Sequence, residues 1–177
     1  MNNFVIFSGG EIFDYSVVKL YKYSRIICAD SGLHHCEKLE IVPDIVIGDF
    51  DSFEGEINPD CKVIKTSPEK DDTDTMMCVK YAIENGAENI KIYGGLSGRL
   101  DHTVANIQTL KYCAERNVRA VIDDGLNRAL VQGEKSMCQY LKNDSEYFSV
   151  FSLTDKVFIR ELSGVKYPLE NYYLTSG

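Results

Sequence analysis

The chain has 177 residues, enough for one compact domain or two small ones and too few for a large multidomain assembly. Hydrophobic residues make up 44% and charged residues 26%, the balance of a folded soluble protein, which excludes a disordered or fibrous chain. With 19 basic against 27 acidic residues the net charge is -8, and no basic run offsets it, so nucleic acid is not an expected partner. No segment near the start has the layout of a signal peptide, and no apolar run approaches the roughly 20 residues of a membrane helix, so no membrane association is expected and a cytoplasmic location is. The 6 cysteines are widely spaced, form no CxxC pair and often sit in apolar segments, which favours reduced thiols over disulfides or zinc.

In chain order, short β-branched runs predict strands over 3–7, 25–29, 44–47, 62–65, 89–93 and 119–123. They are nearly continuously apolar, as in parallel strands covered on both faces. Helices are predicted over 12–21, 33–39, 73–85 and 101–116. In the last of these Val104, Ile107, Leu110 and Ala114 share one face, and Asp101 is placed to cap its start. Gly86 closes the helix before it. The expected fold is α/β: an N-terminal, mostly parallel sheet with helices on both faces over 1–124. After Asp124 the texture changes to closely spaced strands over 127–132, 136–140, 147–153 and 156–161, which predicts a small C-terminal β domain over 125–177. Its apolar run Tyr172-Tyr173-Leu174 lies close to the end, so that domain is expected to be C-terminally incomplete or covered by a partner.

Chemistry gathers where the predicted strands end. Ser8-Gly9-Gly10, Asp30-Ser31-Gly32, Asp49-Phe50-Asp51-Ser52, the Gly94-Gly95 segment and Asp123-Asp124 each follow a strand, and in an open parallel sheet such exits share one edge. In extended chain Asp49 and Asp51 face the same way, toward one cation; a polar turn explains the pair equally well. Asp71-Asp72-Thr73-Asp74 precedes a helical pattern, where a cap accounts for one or two acids but not three. In Gly94-Gly95-Leu96-Ser97-Gly98-Arg99-Leu100-Asp101-His102 the glycines allow close backbone approach to phosphate and Arg99 offers a planar, charged fork. His102 can donate to substrate or orient Asp101, and a structural hydrogen bond serves equally well. Lys70 and Arg128 rank below Arg99, since surface solvation explains each. His34 and His35 lack a zinc-ligand pattern and receive no metal role. Three acidic groups with a glycine and arginine loop fit Mg2+-assisted phosphoryl or pyrophosphoryl transfer, and neither a Walker loop nor a protein-kinase motif set is present.

The set Asp30-Ser31-Gly32, GDFDS from Gly48 to Ser52, KDDTD from Lys70 to Asp74 and GGLSGRLDH from Gly94 to His102 resembles the thiamine pyrophosphokinases. The resemblance implies a nucleotide-binding α/β domain, a C-terminal β-sandwich for thiamine and dimerisation, and a homodimer with shared active sites. It implies transfer of the diphosphate of ATP to the hydroxyl of thiamine, with Mg2+ as cofactor and AMP as second product. Carried over by motif, Asp49, Asp51, Asp71, Asp74 and Asp101 would hold metal. Asp30, Ser31, Gly32, Gly94, Gly95, Gly98, Arg99, His102 and Arg128 would line the nucleotide, while Asp71, Asp101 and Arg99 would serve the chemistry. Family members usually continue past Gly177 with a further β segment that helps receive thiamine. Two other readings stay open: a Mg-dependent phosphatase with Asp49 as nucleophile, and a nonenzymatic nucleotide-binding module.

Overall fold

Apolar runs whose alternate residues can be buried on opposite faces become strands sandwiched between helical layers. The structure, a computed structural model, describes residues 2–50, 57–67, 71–134, 136–140 and 146–176. Its strands are β1 (Asn3–Phe7), β2 (Arg25–Ala29), β3 (Ile45–Gly48), β4 (Lys62–Lys65), β5 (Asn89–Tyr93), β6 (Arg119–Asp123) and β7 (Arg128–Leu130). They form one sheet in the order β4-β3-β2-β1-β5-β6-β7, parallel except for β7. The helices are α1 (Leu33–Lys38), α2 (Asp74–Glu84) and α3 (Leu100–Glu115). Phe4 and Ile6 of β1, Ile27 of β2, Ile47 of β3 and Ile92 of β5 pack with Val79 of α2 and Leu110 of α3. The intervening residues Val5, Phe7, Cys28, Val46 and Tyr93 pack with Leu33 and Cys36 of α1. Each such burial is worth roughly 1.5–3 kcal/mol, more than the ~1 kcal/mol spread of strand propensity, so layer packing decides these elements.

The helix starts follow local chemistry. Thr73 Oγ1 accepts from the Met76 N–H at 3.2 Å and caps α2, with Asp74 in the first turn. Helix α3 begins at Leu100 without a side-chain cap; Asp101 lies inside the first turn and accepts from the His102 N–H at 3.0 Å. The helix expected over 12–21 is only a 3-10 turn at Tyr15–Val17. Asp14 closes that turn by accepting from the Ser16 N–H at 2.9 Å, and the next residue, Val18, is already extended. From the sheet, the buried Tyr93 hydroxyl accepts from the Lys19 N–H at 2.9 Å and donates to Val17 O at 3.2 Å, holding the segment open.

The chain divides into two compact units, Met1–Glu134 and Lys135–Gly177. The division lies beyond Asp124 because Ala129 and Leu130 turn back to pair with Ile122 and Val121 of β6, and Ala129 and Val131 pack on the first unit's core. The second unit holds an antiparallel pair, β8 (Lys156–Leu162) and β9 (Leu169–Thr175), with Phe158 and Tyr173 opposite each other and their rings 5.0 Å apart. Among the described residues it contains no other strand, so 136–140 and 147–153 are not the strands expected there. No helix of the described residues is long and apolar enough to cross a membrane.

Candidate active site

Strands β2, β3 and β4 follow β1 outward on one side, and the chain then places β5 on the other side of β1. The β1 and β5 exits therefore flank the topological switch point, where open α/β sheets bind ligands. The ladder continues past the strand ends: Ser8 N–H donates to Tyr93 O at 2.8 Å and Gly10 N–H to Gly94 O at 2.9 Å. Gly94 has φ +73, and a Cβ there would lie 2.5 Å from Gly10 O and 2.7 Å from Ser8 O, so only glycine lets the two exit loops close on each other. Ser97 Oγ stitches the loops from above, accepting from Glu11 N–H at 2.5 Å and donating to Glu11 O at 3.2 Å. Asn106 of α3 donates to Gly95 O at 2.8 Å from a buried position. Ser8 Oγ and Thr75 Oγ1 share a buried hydrogen bond of 2.7 Å, tying the β1 exit to the first turn of α2.

The acids meet on the β2 side of this edge. Asp30 has φ +44, and its side chain lies over the end of β3: a Cβ on Gly48 would come 2.8 Å from Asp30 Cβ and 2.9 Å from its Oδ1. The glycine of GDFDS is thus required by Asp30. The Oδ1 atom of Asp30 is buried without a hydrogen-bond partner. Burial pushes the Asp30 carboxyl up, the backbone N–H of Ser31 opposes that, and the charges of Asp74 and Asp49 push it further. A buried acceptor with no donor, in the field of two more carboxylates, is the environment a hard cation relieves. The donor set fits Mg2+. Asp51 and Lys70 lie outside the described residues, and among the described residues no group of three ligand-type side chains is already closed around a metal position. Asp71 is exposed, and Asp72 pairs with Lys80 at 2.5 Å.

On the β5 side, Arg99 forks onto Asp101, Nε to Oδ1 at 3.1 Å and Nη2 to Oδ2 at 2.5 Å, and both side chains are exposed. The Arg99 guanidinium holds the Asp101 carboxyl down at about 2. The pair is therefore ionised and occupied with itself, and Gly98, with φ +86 and nothing near its absent Cβ, leaves the loop open beside it. His102 is exposed, and its backbone rather than its ring engages Asp101. Arg128 lies on β7 with its guanidinium on Asp123 Oδ2, at 2.9 Å from Nε and 2.6 Å from Nη2, which commits it to the β6 exit. Asp124 is fully buried, caps the following turn through Oδ1 by accepting from Leu126 and Asn127 N–H at 2.8 and 2.6 Å, and leaves Oδ2 without a partner. Ser31 is exposed beside Gly9, and Gly32 is buried against Phe7 O. The sequence reading missed Thr75, Ser97, Asn106 and His35 as site-building groups, since small polar residues and a lone imidazole in helices and loops carry no pattern of their own.

The fold and this edge define a doubly wound α/β protein whose glycine-containing β1 and β5 exit loops close on each other at the switch point, with acids gathered on the β2 side. The family model described as thiamin pyrophosphokinase, catalytic domain, matches residues 19–122, more than half of the chain. The chain belongs to the thiamin pyrophosphokinase family. It is 28% identical over 143 residues to thiamin pyrophosphokinase 1 of Caenorhabditis elegans, covering 76% of this chain and 59% of that protein. It is 28% identical over 144 residues to thiamine pyrophosphokinase of Bacillus subtilis (strain 168), covering 77% of this chain and 66% of that protein. The chain thus spans less than two thirds of the length of either relative. The crystal structure of the Bacillus subtilis thiamine pyrophosphokinase superposes with a TM-score of 0.83 at 24% identity, over 99% of this chain and 86% of that one. A thiamin pyrophosphokinase family protein from Enterococcus faecalis superposes with a TM-score of 0.77 at 24% identity, over 99% and 85% of the two chains. At these identities the two superpositions establish the shared fold.

Proposed function

We propose that this chain transfers the diphosphate of ATP to the hydroxyl of thiamine, yielding thiamine diphosphate and AMP. The observation that carries the reading is Asp30 Oδ1, buried and unpartnered in the field of Asp74 and Asp49 at the sheet edge. Asp30, Asp49 and Asp74 would hold Mg2+, with Asp51, Asp71 and Asp101 joining by motif. When bound, the ion neutralises phosphate charge and screens these carboxylates from one another.

The chain's own groups account for the rest. The backbone at the exposed Gly98, with open space beside it, would admit phosphate oxygens closely, and Arg99 would exchange its fork on Asp101 for one on phosphate. The thiamine oxygen forms a bond to the β-phosphorus as the bond from that phosphorus to the bridging α-oxygen breaks and AMP leaves. The alcohol proton passes to a carboxylate, Asp71 or Asp101. Asp101 released from Arg99 is the better acceptor of the two states, because the guanidinium is what depresses its basicity. Binding of thiamine, a homodimer with shared sites and a cytoplasmic location belong to the same reading. A phosphatase using Asp49 as nucleophile is disfavoured, since two strands precede the motif and the chain belongs to a transferase-named family.

Incubation with ATP, Mg2+ and thiamine tests the proposal. Thiamine diphosphate and AMP in equal amounts are expected; ADP with thiamine monophosphate, or phosphate release with a phosphorylated Asp49, would replace it.

A further inference from the structure

We infer that His35, packed against the β1 and β5 exit loops, is a positioning residue that orders these loops for phosphate. The inference rests on the reading of the glycine loops as the phosphate site. His35 is 1% exposed, a polar ring buried in the α1 layer. Its Nε2 lies 2.8 Å from Gly10 O and its Nδ1 2.6 Å from the Tyr15 hydroxyl. A carbonyl oxygen only accepts, so Nε2 carries the hydrogen; Nδ1 is then the acceptor and Tyr15 donates. The ring is neutral in this arrangement, and burial, its largest cause, holds its pKa down at about 4.

The direction of this chain of hydrogen bonds matters for the site. Gly10 uses its N–H on Gly94 O and its carbonyl on His35, so both of its backbone groups are committed. His35 also lies 3.0 Å from where a Cβ on Gly94 would be, so the ring packs directly beneath both loops at the switch point. From above, the loops are joined through Ser97 to Glu11. Two glycine-containing loops have high intrinsic freedom, and fixing them in advance lowers the ordering cost that a phosphate ligand would otherwise meet. An apolar residue at 35 would deprive Gly10 O of its side-chain donor. The loop would then have to move or take up water.

The test compares His35→Leu, His35→Gln, Tyr15→Phe and Ser97→Ala in the full chain, by backbone hydrogen exchange read by mass spectrometry and by Mg-ATP titration calorimetry. His35→Leu is expected to speed exchange over 8–11 and 94–98 and to weaken Mg-ATP binding about tenfold, the effect of losing roughly one hydrogen bond's worth of pre-organisation. Steady-state rates should show the loss in KM for ATP with kcat and the KM for thiamine within about twofold, which a general loss of fold would not do. His35→Gln keeps a donor for Gly10 O and should restore most of the affinity, while Tyr15→Phe should fall between. Ser97→Ala should raise exchange in the same two segments as a control for loop ordering, and His35→Gln with Tyr15→Phe carry the test if His35→Leu does not fold. Unchanged exchange in those segments in folded His35 variants, or equal losses by His35→Leu and His35→Gln, would overturn the role of His35. Absence of Mg-ATP binding by the unsubstituted chain would overturn the functional reading instead, and the exchange data would still decide whether His35 orders the loops.

Discussion

The β2 exit and the β5 exit both present an aspartate to the same sheet edge, and the two carboxylates are in opposite electrostatic states. Asp30 is half-buried, its buried Oδ1 lacks a donor, and it feels Asp74 and Asp49, so its charged form is disfavoured. Asp101 is exposed and forked by Arg99, so its charged form is favoured. The contrast teaches that one side of the edge holds free energy that a cation would release, whereas the other is satisfied without ligand and has to exchange partners when one arrives. Residue type alone does not separate the two roles; burial and the nearest cation do.

The sharpest way to break the contrast is Asp30→Asn. Turnover is expected to fall by more than about a hundredfold, beyond what the loss of an outer-shell group costs a metal site. The ligand-free protein should become more stable, its thermal midpoint rising, because the neutral amide relieves the desolvation and the repulsion from Asp74 and Asp49 that the carboxylate meets. Added Mg2+ should raise the midpoint of the unsubstituted chain and leave that of the variant unchanged, as read by differential scanning fluorimetry. A loss of stability on substitution would mean that Asp30 is a structural acid.

Arg99→Ala tests the other side. An exposed pair contributes little to stability, so the midpoint should barely move. Mg-ATP affinity should fall about tenfold or more with the loss of a charge-assisted contact. In carbon-detected NMR titration, the Asp101 carboxyl should titrate near about 2 in the unsubstituted chain. It should return toward the ordinary carboxylate range of about 3.9 in the variant. The sign follows from the depressed value: whatever stability the pair supplies is present above the unfolded-state value and is lost as pH falls through about 2.

His35 supplies a third, smaller effect with its own pH window. Its folded-state pKa of about 4 lies below the usual histidine value, so the unfolded chain takes up the proton first. The stability from keeping it neutral is complete above about pH 6.5 and is lost as pH falls from there toward 4. Subtracting the thermal-midpoint profile of His35→Gln from that of the unsubstituted chain should isolate this loss; parallel profiles would contradict it. The smallest effect is expected at Asp72, which pairs with Lys80 on the α2 surface and takes no part in the contrast. Asp72→Asn should leave steady-state turnover within about twofold and stability within ~0.5 kcal/mol.

The sequence by itself determined the six parallel strands, three of the helices and the convergence of motifs on one edge. These follow from apolar runs, helical spacing and the rule that parallel strands end on the same side. It also singled out Asp30 and Arg99 as candidates for the site. What it left to tertiary structure was every outcome set by a distant partner. The segment 12–21 has helical spacing, but Tyr93 reaches from β5 to hold its backbone open. Residues 128–130 read as the start of a β domain, but their pairing with β6 joins them to the first unit. Arg128 is expected near the sixth strand exit, and its partner there, Asp123, is a contact that only the folded β6–β7 pairing supplies. His35, without a motif around it, gained its place only when Gly10, Gly94 and Tyr15 closed about the ring. Local pattern fixes backbone periodicity because neighbours share one chain, whereas the state of a buried polar group depends on atoms brought from far along the sequence, and only the folded packing decides which those are.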